Sequence, residues 1–172
     1  DICFSTESKV PTWDPLLRPK DNDSRKWWDP VKELNNLKAY GTAYWNEKGE
    51  NVTKNTRGDN SRIIMDRAIP FIQNAVKQNQ PFFSIIWFHT PHLPVVAGPK
   101  YMAMYKNYPK YEQHYYGCIT AMDEQVGRLR NELRKLDAAK NTVLFFTSDN
   151  GPEGASGNAP GSAGHLNGRK RS

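Results

Sequence analysis

The sequence has few cysteines and no long apolar run, and each shortage excludes a class of protein. Its two cysteines, Cys3 and Cys118, lie too far apart for the close pairs of a zinc knuckle, and they are compatible with one disulfide or with two buried thiols. No stretch approaches the roughly 20 apolar residues that a transmembrane helix needs. The sequence therefore predicts neither a zinc-knuckle module nor a membrane-spanning helix.

The chain also lacks an initiator methionine. It begins Asp1-Ile2-Cys3-Phe4, without the charged and then apolar segment of a secretory leader. We expect the chain to be an internal part of a longer protein.

Basic residues are numerous but are not gathered into a stripe. The formal net charge is +6 and the pI is about 9.3, yet the compact basic cluster is Arg169-Lys170-Arg171 near the end. Nucleic-acid binding usually needs basic residues along one face. The 172 residues, 37% of them hydrophobic, are enough for a globular core. We expect a globular protein that handles an anionic substrate, and no nucleic-acid partner.

The chain divides into an irregular first part and an ordered second part. Residues 1–59 are polar and weakly periodic, and we predict an insertion-like surface segment with short strands near residues 41–45. Apolar periodicity becomes regular after that point. We therefore predict an α/β core over residues 60–172, so that residues 1–172 form part of a single domain.

Two helices follow from the spacing of apolar residues. The first begins at Asp59 or Ser61, either of which can cap it, and runs to Asn79, with a kink expected at Pro70. The second runs from about residue 112 to residue 136, and its apolar positions alternate by three and four. We expect this seam to pack against a sheet. Its members are Tyr115, Ile119, Met122, Val126, Leu129, Leu133 and Leu136.

Two apolar runs have the composition of buried strands. Residues 82–88 read FFSIIWF and residues 142–148 read TVLFFTS, as expected of strands covered on both faces. With a helix between them, a right-handed crossover would bring both carboxyl ends to the same edge of the sheet. We therefore predict an α/β fold with a mostly parallel sheet flanked by helices.

Polar residues follow both predicted strands, where ligands bind in such sheets. His89 and His92 follow the first, and Asp149-Asn150-Gly151 follows the second. The Asp149 carboxylate and the Asn150 amide oxygen suit Ca²⁺ or Mg²⁺ better than zinc. An Asp-Asn-Gly sequence also forms ordinary turns without a metal, so both interpretations remain open.

A glycine-rich segment, residues 151–164, then allows the chain to return close to a ligand and brings in Lys170. A metal and Lys170 would hold the oxygens of a sulfate or phosphate ester, while His92 would donate a proton or a hydrogen bond. His89 is the alternative for the histidine role, because spacing does not choose between the two. An ordinary loop histidine and a solvated lysine would have the same sequence appearance.

Four segments occur in the order that they have in one enzyme family. They are residues 87–94, 116–127, 146–153 and 166–170. Together they resemble the second half of the catalytic domain of the type I sulfatases, the arylsulfatase-like enzymes of the alkaline phosphatase superfamily. The resemblance implies an alkaline-phosphatase-like α/β domain, truncated at both ends. It also implies that Asp149 and Asn150 bind Ca²⁺, rather than Mg²⁺, and that His92 and Lys170 bind the substrate sulfate and serve catalysis.

The family nucleophile has no counterpart in this sequence. It is a formylglycine made from the first residue of a Cys/Ser-x-Pro-x-Arg motif, and neither Cys3 nor Cys118 begins such a motif. The family's other calcium carboxylates and its upstream lysine and histidine are also missing. The resemblance implies that the nucleophile lies upstream and that the isolated chain is inactive. In the complete protein, an aldehyde hydrate would attack sulfur, release the alcohol and then eliminate sulfate.

The resemblance further implies a partner and a location, and two other functions remain open. The partner would be a sulfate ester, including sulfated carbohydrate, and the protein would be secreted, lysosomal or periplasmic. One alternative is a phosphatase or phosphonate hydrolase of the same superfamily, although Asn150 argues against a two-zinc site, where relatives usually place a histidine. The other alternative is a catalytically inactive sulfate- or glycan-binding module.

Overall fold

The computed structural model describes residues 1–6, 9–153 and 161–170, which belong to two compact units, Asp1–Ala139 and Lys140–Ser172. Within the described residues, no helix is long and apolar enough to cross a membrane. The elements are β1 (Phe4–Thr6), β2 (Leu17–Pro19), β3 (Leu37–Ala39), β4 (Tyr44–Asn46), α1 (Asn60–Lys77), α2 (Pro99–Met104) and α3 (Lys110–Lys135), with 3₁₀ turns at Leu34–Asn36 and Ala139–Asn141.

Two short antiparallel ladders organise the first part of the chain. Strand β1 pairs with β4, and β2 pairs with β3. The short strand expected near residues 41–45 is therefore confirmed at β4. In the segment that connects β1 to β2, Val10 and Thr12 are fully buried, and Thr12 exchanges two hydrogen bonds with Val96. This segment contributes side chains to the core.

Helix α1 confirms the first predicted helix. The Asp59 carboxylate caps it by accepting a hydrogen bond from the Arg62 backbone N–H at 3.0 Å, which satisfies one of the unpaired amides of the first turn. Pro70 lies inside the helix. The helix ends at Lys77, two residues before the predicted end. Its buried apolar residues are Ile63, Met65, Ile69, Ile72 and Ala75.

Helix α3 confirms the second predicted helix, but its most buried face is rotated from the predicted seam. Leu129 and Leu133 belong to both faces, whereas Tyr115 and Ile119 are only partly buried. Apolar spacing missed this face because two of its members are polar and three are small. The buried residues are His114, Gly117, Cys118, Ala121, Gln125, Leu129 and Leu133.

The described residues of the first unit include two apolar clusters in the core. The first joins the segment before α2, α2 itself and the first half of α3, and it consists of Val95, Ala97, Tyr101, Met102, Cys118 and Ala121. The second joins α1 to the second half of α3, and it consists of Met65, Ile69, Ile72, Leu129 and Leu133. Helix α3 therefore supports both halves of the unit.

The run over residues 82–88 differs from the predicted buried strand. It is not a strand and forms no ladder with any described strand. Burial still alternates with the two-residue period of an extended chain. Phe82, Ile86 and Phe88 pack against the second cluster, whereas Phe83, Ile85 and Trp87 are 82%, 61% and 81% exposed. One face is covered and the other is open.

The run over residues 142–148, in the second unit, is likewise not a strand in the described chain. Its apolar side chains are exposed, including Phe145 and Phe146. Strand composition alone does not create a ladder, because each strand needs a partner backbone in register. The described residues therefore contain no parallel sheet, and the predicted crossover between the two runs stays a prediction.

The cysteines form neither the disulfide nor the pair of buried thiols that the sequence left open. Cys3 and Cys118 are both free thiols, and Cys3 is exposed while Cys118 is buried. Complete burial raises the pKa of the Cys118 thiol, which therefore packs as a small apolar side chain.

Candidate functional site

The first candidate site residues lie in residues 89–94, called here the histidine loop. His92 is exposed, its Nδ1 lies 2.8 Å from the Leu93 carbonyl oxygen, and its backbone N–H donates to the His89 carbonyl oxygen at 2.6 Å. Because a carbonyl oxygen can only accept, Nδ1 carries the proton in that contact. The Nε2 atom of His92 is therefore the ring atom left to meet a ligand.

His89, the alternative histidine, is in a different environment. It is partly buried, and burial, followed by the neighbouring His92, lowers its pKa. At neutral pH His89 is therefore neutral. The next residue, Thr90, is buried, and its Oγ1 lies 3.4 Å from Ser61 Oγ on α1. Exposure favours His92 for contact with an anion.

The segment that follows the histidine loop, residues 95–98, is buried and held by three different parts of the unit. The Val95 N–H donates to the Lys26 carbonyl oxygen at 2.8 Å. Val96 exchanges its two hydrogen bonds with the Thr12 hydroxyl at 2.7 and 2.8 Å. The Ala97 N–H donates to His114 Nδ1 at 3.0 Å. These contacts fix the point at which the loop joins the core.

In the second unit, the backbone after Asp149-Asn150 meets the segment that contains Lys170. The Lys170 N–H donates to the Pro152 carbonyl oxygen at 2.9 Å, and Glu153 and Lys170 form a parallel bridge. A Cβ added to Gly151 would lie 2.6 Å from the Gly168 carbonyl oxygen, so only glycine fits this approach. Two predicted motifs that are separated in sequence are therefore adjacent in this unit.

The predicted metal ligands supply oxygen atoms of the expected kind. Asp149 and Asn150 are both exposed, and the Asn150 Nδ2 donates to the Gly151 carbonyl oxygen at 2.8 Å, which leaves Oδ1 for a ligand. Ca²⁺ takes about six to eight oxygen ligands. Among the described residues, no group of three or more His, Cys, Asp or Glu side chains can hold a metal ion. The pair therefore fits a hard cation in donor type but supplies only part of its coordination.

The four predicted site residues are divided between the two units. His92 belongs to the first unit, and Asp149, Asn150 and Lys170 belong to the second. The backbone segments that contain Asp149-Asn150 and Lys170 meet within the second unit. The expectation that His92 shares a crevice with them stays a prediction.

Sequence reasoning missed a buried histidine in the first unit. His114 is fully buried on α3, its Nε2 lies 3.3 Å from Asp29 Oδ1, and its ring lies 5.4 Å from the Trp27 ring. Burial lowers the pKa of His114, although Asp29 opposes that shift. His114 precedes the buried Cys118 by four residues, and this helical spacing was the available signal.

Two clefts on the first unit lie beside Pro30 and Pro99, which line both. One, of about 310 Å³, is also lined by Asp29, Met102 and Lys110. The other, of about 360 Å³, is also lined by Trp13, Asp14 and Arg57. The predicted site residues do not line either cleft. Neither cleft therefore coincides with the predicted site.

Comparison with known proteins identifies one family. The family model described as Sulfatase matches residues 20–171. The chain is 32% identical over 120 residues to the uncharacterized sulfatase YdeN of Escherichia coli (strain K12), with 66% of this chain and 21% of that protein covered. It is 31% identical over 105 residues to an ulvan-active sulfatase of Formosa agariphila, with 51% of this chain and 20% of that protein covered. The chain thus spans about a fifth of the length of these relatives.

A solved structure gives the same assignment at the level of the fold. Ps i-CgsB superposes with a TM-score of 0.59 at 32% identity, over 64% of this chain and 24% of its own, and it has also been solved in complex with k-i-k-neocarrahexaose. The match confirms the α/β, alkaline-phosphatase-like fold class. Because the family model covers most of the sequence and the motifs keep the family's order, the chain belongs to the sulfatase family, in its type I, arylsulfatase-like branch.

Proposed function

We propose that this chain is part of a sulfuric ester hydrolase and supplies part of its calcium- and sulfate-binding site. The observation that supports the proposal is the junction in the second unit, where the Lys170 N–H donates to the Pro152 carbonyl oxygen. The junction places a basic residue in the segment next to an Asp-Asn pair. A hard cation and an ammonium group on two adjacent loops form an environment that binds a tetrahedral oxyanion.

Each residue has a distinct role in this proposal. Asp149 and Asn150 hold Ca²⁺, which would neutralise charge on the sulfate oxygens when bound. Lys170 binds a sulfate oxygen with its ammonium group. His92 directs its Nε2 to the ester and binds or protonates an oxygen there. The nucleophile, a formylglycine in this family, is expected upstream of the chain.

We further propose sulfated carbohydrate as the substrate class. One relative is named for its activity on ulvan, and the neighbouring solved structure holds k-i-k-neocarrahexaose. The net charge of +6 favours the approach of an anionic substrate. We place the complete protein outside the cytosol, in the lysosome, the periplasm or the medium.

The proposal is tested with a protein that joins this chain to the rest of its catalytic domain. Aryl sulfates and sulfated oligosaccharides are assayed beside aryl phosphates and phosphonates, with and without a calcium chelator. We expect release of sulfate that is lost on chelation and restored by Ca²⁺. Faster hydrolysis of phosphate or phosphonate esters would instead identify the related hydrolase activity. Binding of sulfated glycans without any hydrolysis would identify a binding module.

A further inference from the structure

His114 connects the base of the histidine loop to helix α3. The loop ends at Pro94, and three residues later the Ala97 N–H donates to His114 Nδ1 at 3.0 Å. Lys26 and Thr12, which both lie in the irregular first part of the chain, hold Val95 and Val96, and the Gly98 carbonyl oxygen accepts from the first turn of α2. The contact with His114 joins the segment to the long helix α3.

The contact defines the protonation state of the imidazole ring. A backbone N–H can only donate, so Nδ1 must be the unprotonated, accepting nitrogen. The Nε2 atom then carries the proton and donates it to Asp29 Oδ1 at 3.3 Å. A second proton on the ring would place an N–H at Nδ1 directly opposite the Ala97 N–H, in a site with no solvent access.

The charged groups that face His114 come from two elements. Asp29 lies in the loop after β2, and Lys110, on the first turn of α3, pairs with Asp29 at 3.1 Å. Residues 95–98 bring no charged side chain to the ring. Burial lowers the pKa of His114, Asp29 acts in the opposite direction, and Lys110 adds to the lowering. The neutral ring is therefore the stable form at neutral pH.

The packing around Ala97 leaves little freedom for another arrangement. Ala97 and its neighbour Val96 are fully buried. One turn after His114, a Cβ added to Gly117 would lie 2.8 Å from the Ala97 Cβ, so the helix and the segment are in direct contact. Loss of the hydrogen bond would leave a buried N–H without a partner, and the segment would have to move away from α3 to hydrate it.

We propose that His114 is a positioning residue, which holds Ala97 against helix α3 in its neutral, Nε2-protonated form and thereby fixes the histidine loop that presents His92. The consequence for the reaction rests on the proposed function, because it requires that His92 binds the sulfate. The positioning of the loop does not depend on that function.

Two near-isosteric variants separate the two contacts of the ring. The amide oxygen of His114→Asn falls near the position of Nδ1 and can still accept from Ala97, whereas the amide of His114→Gln reaches toward Asp29 and leaves Ala97 unpaired. Hydrogen exchange of a peptide that contains residue 97 is measured in the complete protein by mass spectrometry. We expect protection at least about tenfold lower in the Gln variant than in the Asn variant. Equal protection in the two variants would overturn the proposal.

A second measurement requires no variant to fold. A long-range ¹H–¹⁵N spectrum of the wild-type protein at pH 7.5 distinguishes the two neutral tautomers of His114. We expect the proton on Nε2. A proton on Nδ1, or a doubly protonated ring, would contradict the Ala97 contact and overturn the proposal.

The pH profile reports the effect on the reaction. Sulfate release is assayed in the complete protein from pH 5 to pH 8. At pH 7.5 we expect kcat/KM to be about tenfold or more lower for the Gln variant than for the Asn variant. As the pH falls toward the lowered pKa of His114, the wild-type protein should lose kcat/KM relative to the Asn variant, which has no ring to protonate. Equal kcat/KM of the Asn and Gln variants at pH 7.5 would show that His114 does not position the loop.

The outcomes for the two proposals can be told apart. If no sulfate ester is hydrolysed while the exchange and tautomer results hold, the positioning role stands and the proposed function fails. If sulfate is released at equal rates by the Asn and Gln variants, the proposed function stands and the positioning role fails.

Discussion

At the residue scale, glycines allow segments to approach each other at distances that no side chain permits. Gly117 brings α3 against Ala97, and Gly151 brings the Asp-Asn turn against Gly168. In both cases a Cβ would lie under 3 Å from an atom of the facing segment. The first contact supports the histidine loop and the second supports the proposed anion site. Each candidate site therefore depends on a position without a side chain.

Gly117→Ala should destabilise the chain, whereas Gly127→Ala on the same helix should not. Alanine is the better helix former by about 1 kcal/mol, but at position 117 its Cβ would overlap Ala97 and cost about 1–3 kcal/mol. At position 127 nothing lies within 4 Å of the added Cβ, so the propensity gain remains. Urea unfolding of both variants measures the difference. A Gly117→Ala variant as stable as Gly127→Ala would contradict the close contact.

Asp149→Ala should abolish metal-dependent activity in the complete protein, because a hard cation would lose its charged ligand. Calcium titration by calorimetry should show weaker binding in step with the loss of activity. Asp21→Ala is the matched control, since Asp21 is exposed and lies outside the proposed site. Unchanged calcium affinity in Asp149→Ala would remove this residue from the site.

The two histidines of the histidine loop should differ sharply on replacement. His92→Ala should lower kcat/KM by about 10²- to 10⁴-fold, the usual contribution of a group that transfers a proton in the reaction. His89→Ala should cost far less, because His89 is partly buried and kept neutral by its surroundings. Steady-state kinetics with an aryl sulfate at pH 7.5 tests the order. The reverse order would assign the substrate contact to His89.

At the scale of elements, helix α1 begins on a carboxylate that is unusually buried. Asp59 is 5% exposed, and its Oδ2 is buried without a hydrogen-bond partner among the residues that the structure describes. Desolvation raises the pKa of Asp59 from 3.8 to about 6, even though the cap contact with Arg62 opposes the shift. The folded chain therefore binds a proton on Asp59 more readily than the unfolded chain does.

Asp59→Asn should remove one component of the pH dependence of stability. A raised carboxyl pKa stabilises the fold below about pH 4, and this stabilisation is lost as the pH rises through about 6. Asparagine keeps a capping oxygen and does not titrate, so the variant should be more stable than the wild type by about 1–3 kcal/mol at pH 8 and should lose this advantage by pH 4. Urea unfolding at both pH values measures the change.

The pH dependence of stability that His89 and His114 contribute has the opposite sign to that of Asp59. The contribution of Asp59 is therefore taken from the difference in unfolding free energy between wild type and Asp59→Asn at each pH. The lowered pKa values of His89 and His114 stabilise the fold above about pH 6.5, and that stabilisation is lost as the pH falls toward their folded values. Asp59→Ala serves as the control, because it removes the titrating group and also the cap. A constant difference between wild type and Asp59→Asn from pH 4 to pH 8 would refute the raised pKa of Asp59.

At the scale of the whole molecule, the open face of residues 82–88 is an apolar surface without cover in the described chain. Phe83, Ile85 and Trp87 project from it, while Phe82 and Ile86 face the second cluster. An extended, apolar and unpaired segment is the kind of edge that promotes association between copies. Because exposed and buried side chains alternate along residues 82–88, each face can be mutated without changing the other.

The 172-residue chain should therefore self-associate, and polar replacement of the open face should prevent this. Replacing Phe83, Ile85 and Trp87 together by threonine should shift the sedimentation of the chain toward monomer and leave its thermal unfolding nearly unchanged. The matched control replaces Phe82, Ile86 and Phe88 by threonine, which should unfold the first unit because these side chains pack against α1 and α3. A monomeric wild-type chain at high concentration would show that the open face does not drive association.

Features of local origin followed from the sequence by itself. Helices α1 and α3 were predicted to within a few residues, because periodicity and the Asp59 cap act over one or two turns. The sulfatase family followed from the order of short motifs, and the family comparison confirmed it. The candidate residues His92, Asp149, Asn150 and Lys170 were likewise chosen from those motifs, and their roles stay predictions.

Features that depend on a distant partner were decided by the tertiary structure alone. The two apolar runs have strand composition but no ladder, because hydrogen bonding needs a second backbone in register that composition does not supply. Burial of His114 depends on Asp29 and Ala97, which lie 85 and 17 residues away in sequence. The four-residue spacing from Cys118 indicates a shared helix face but does not identify these partners. The physical reason is the same in both cases: burial and pairing are properties of two surfaces in contact, and one stretch of sequence describes only one of them.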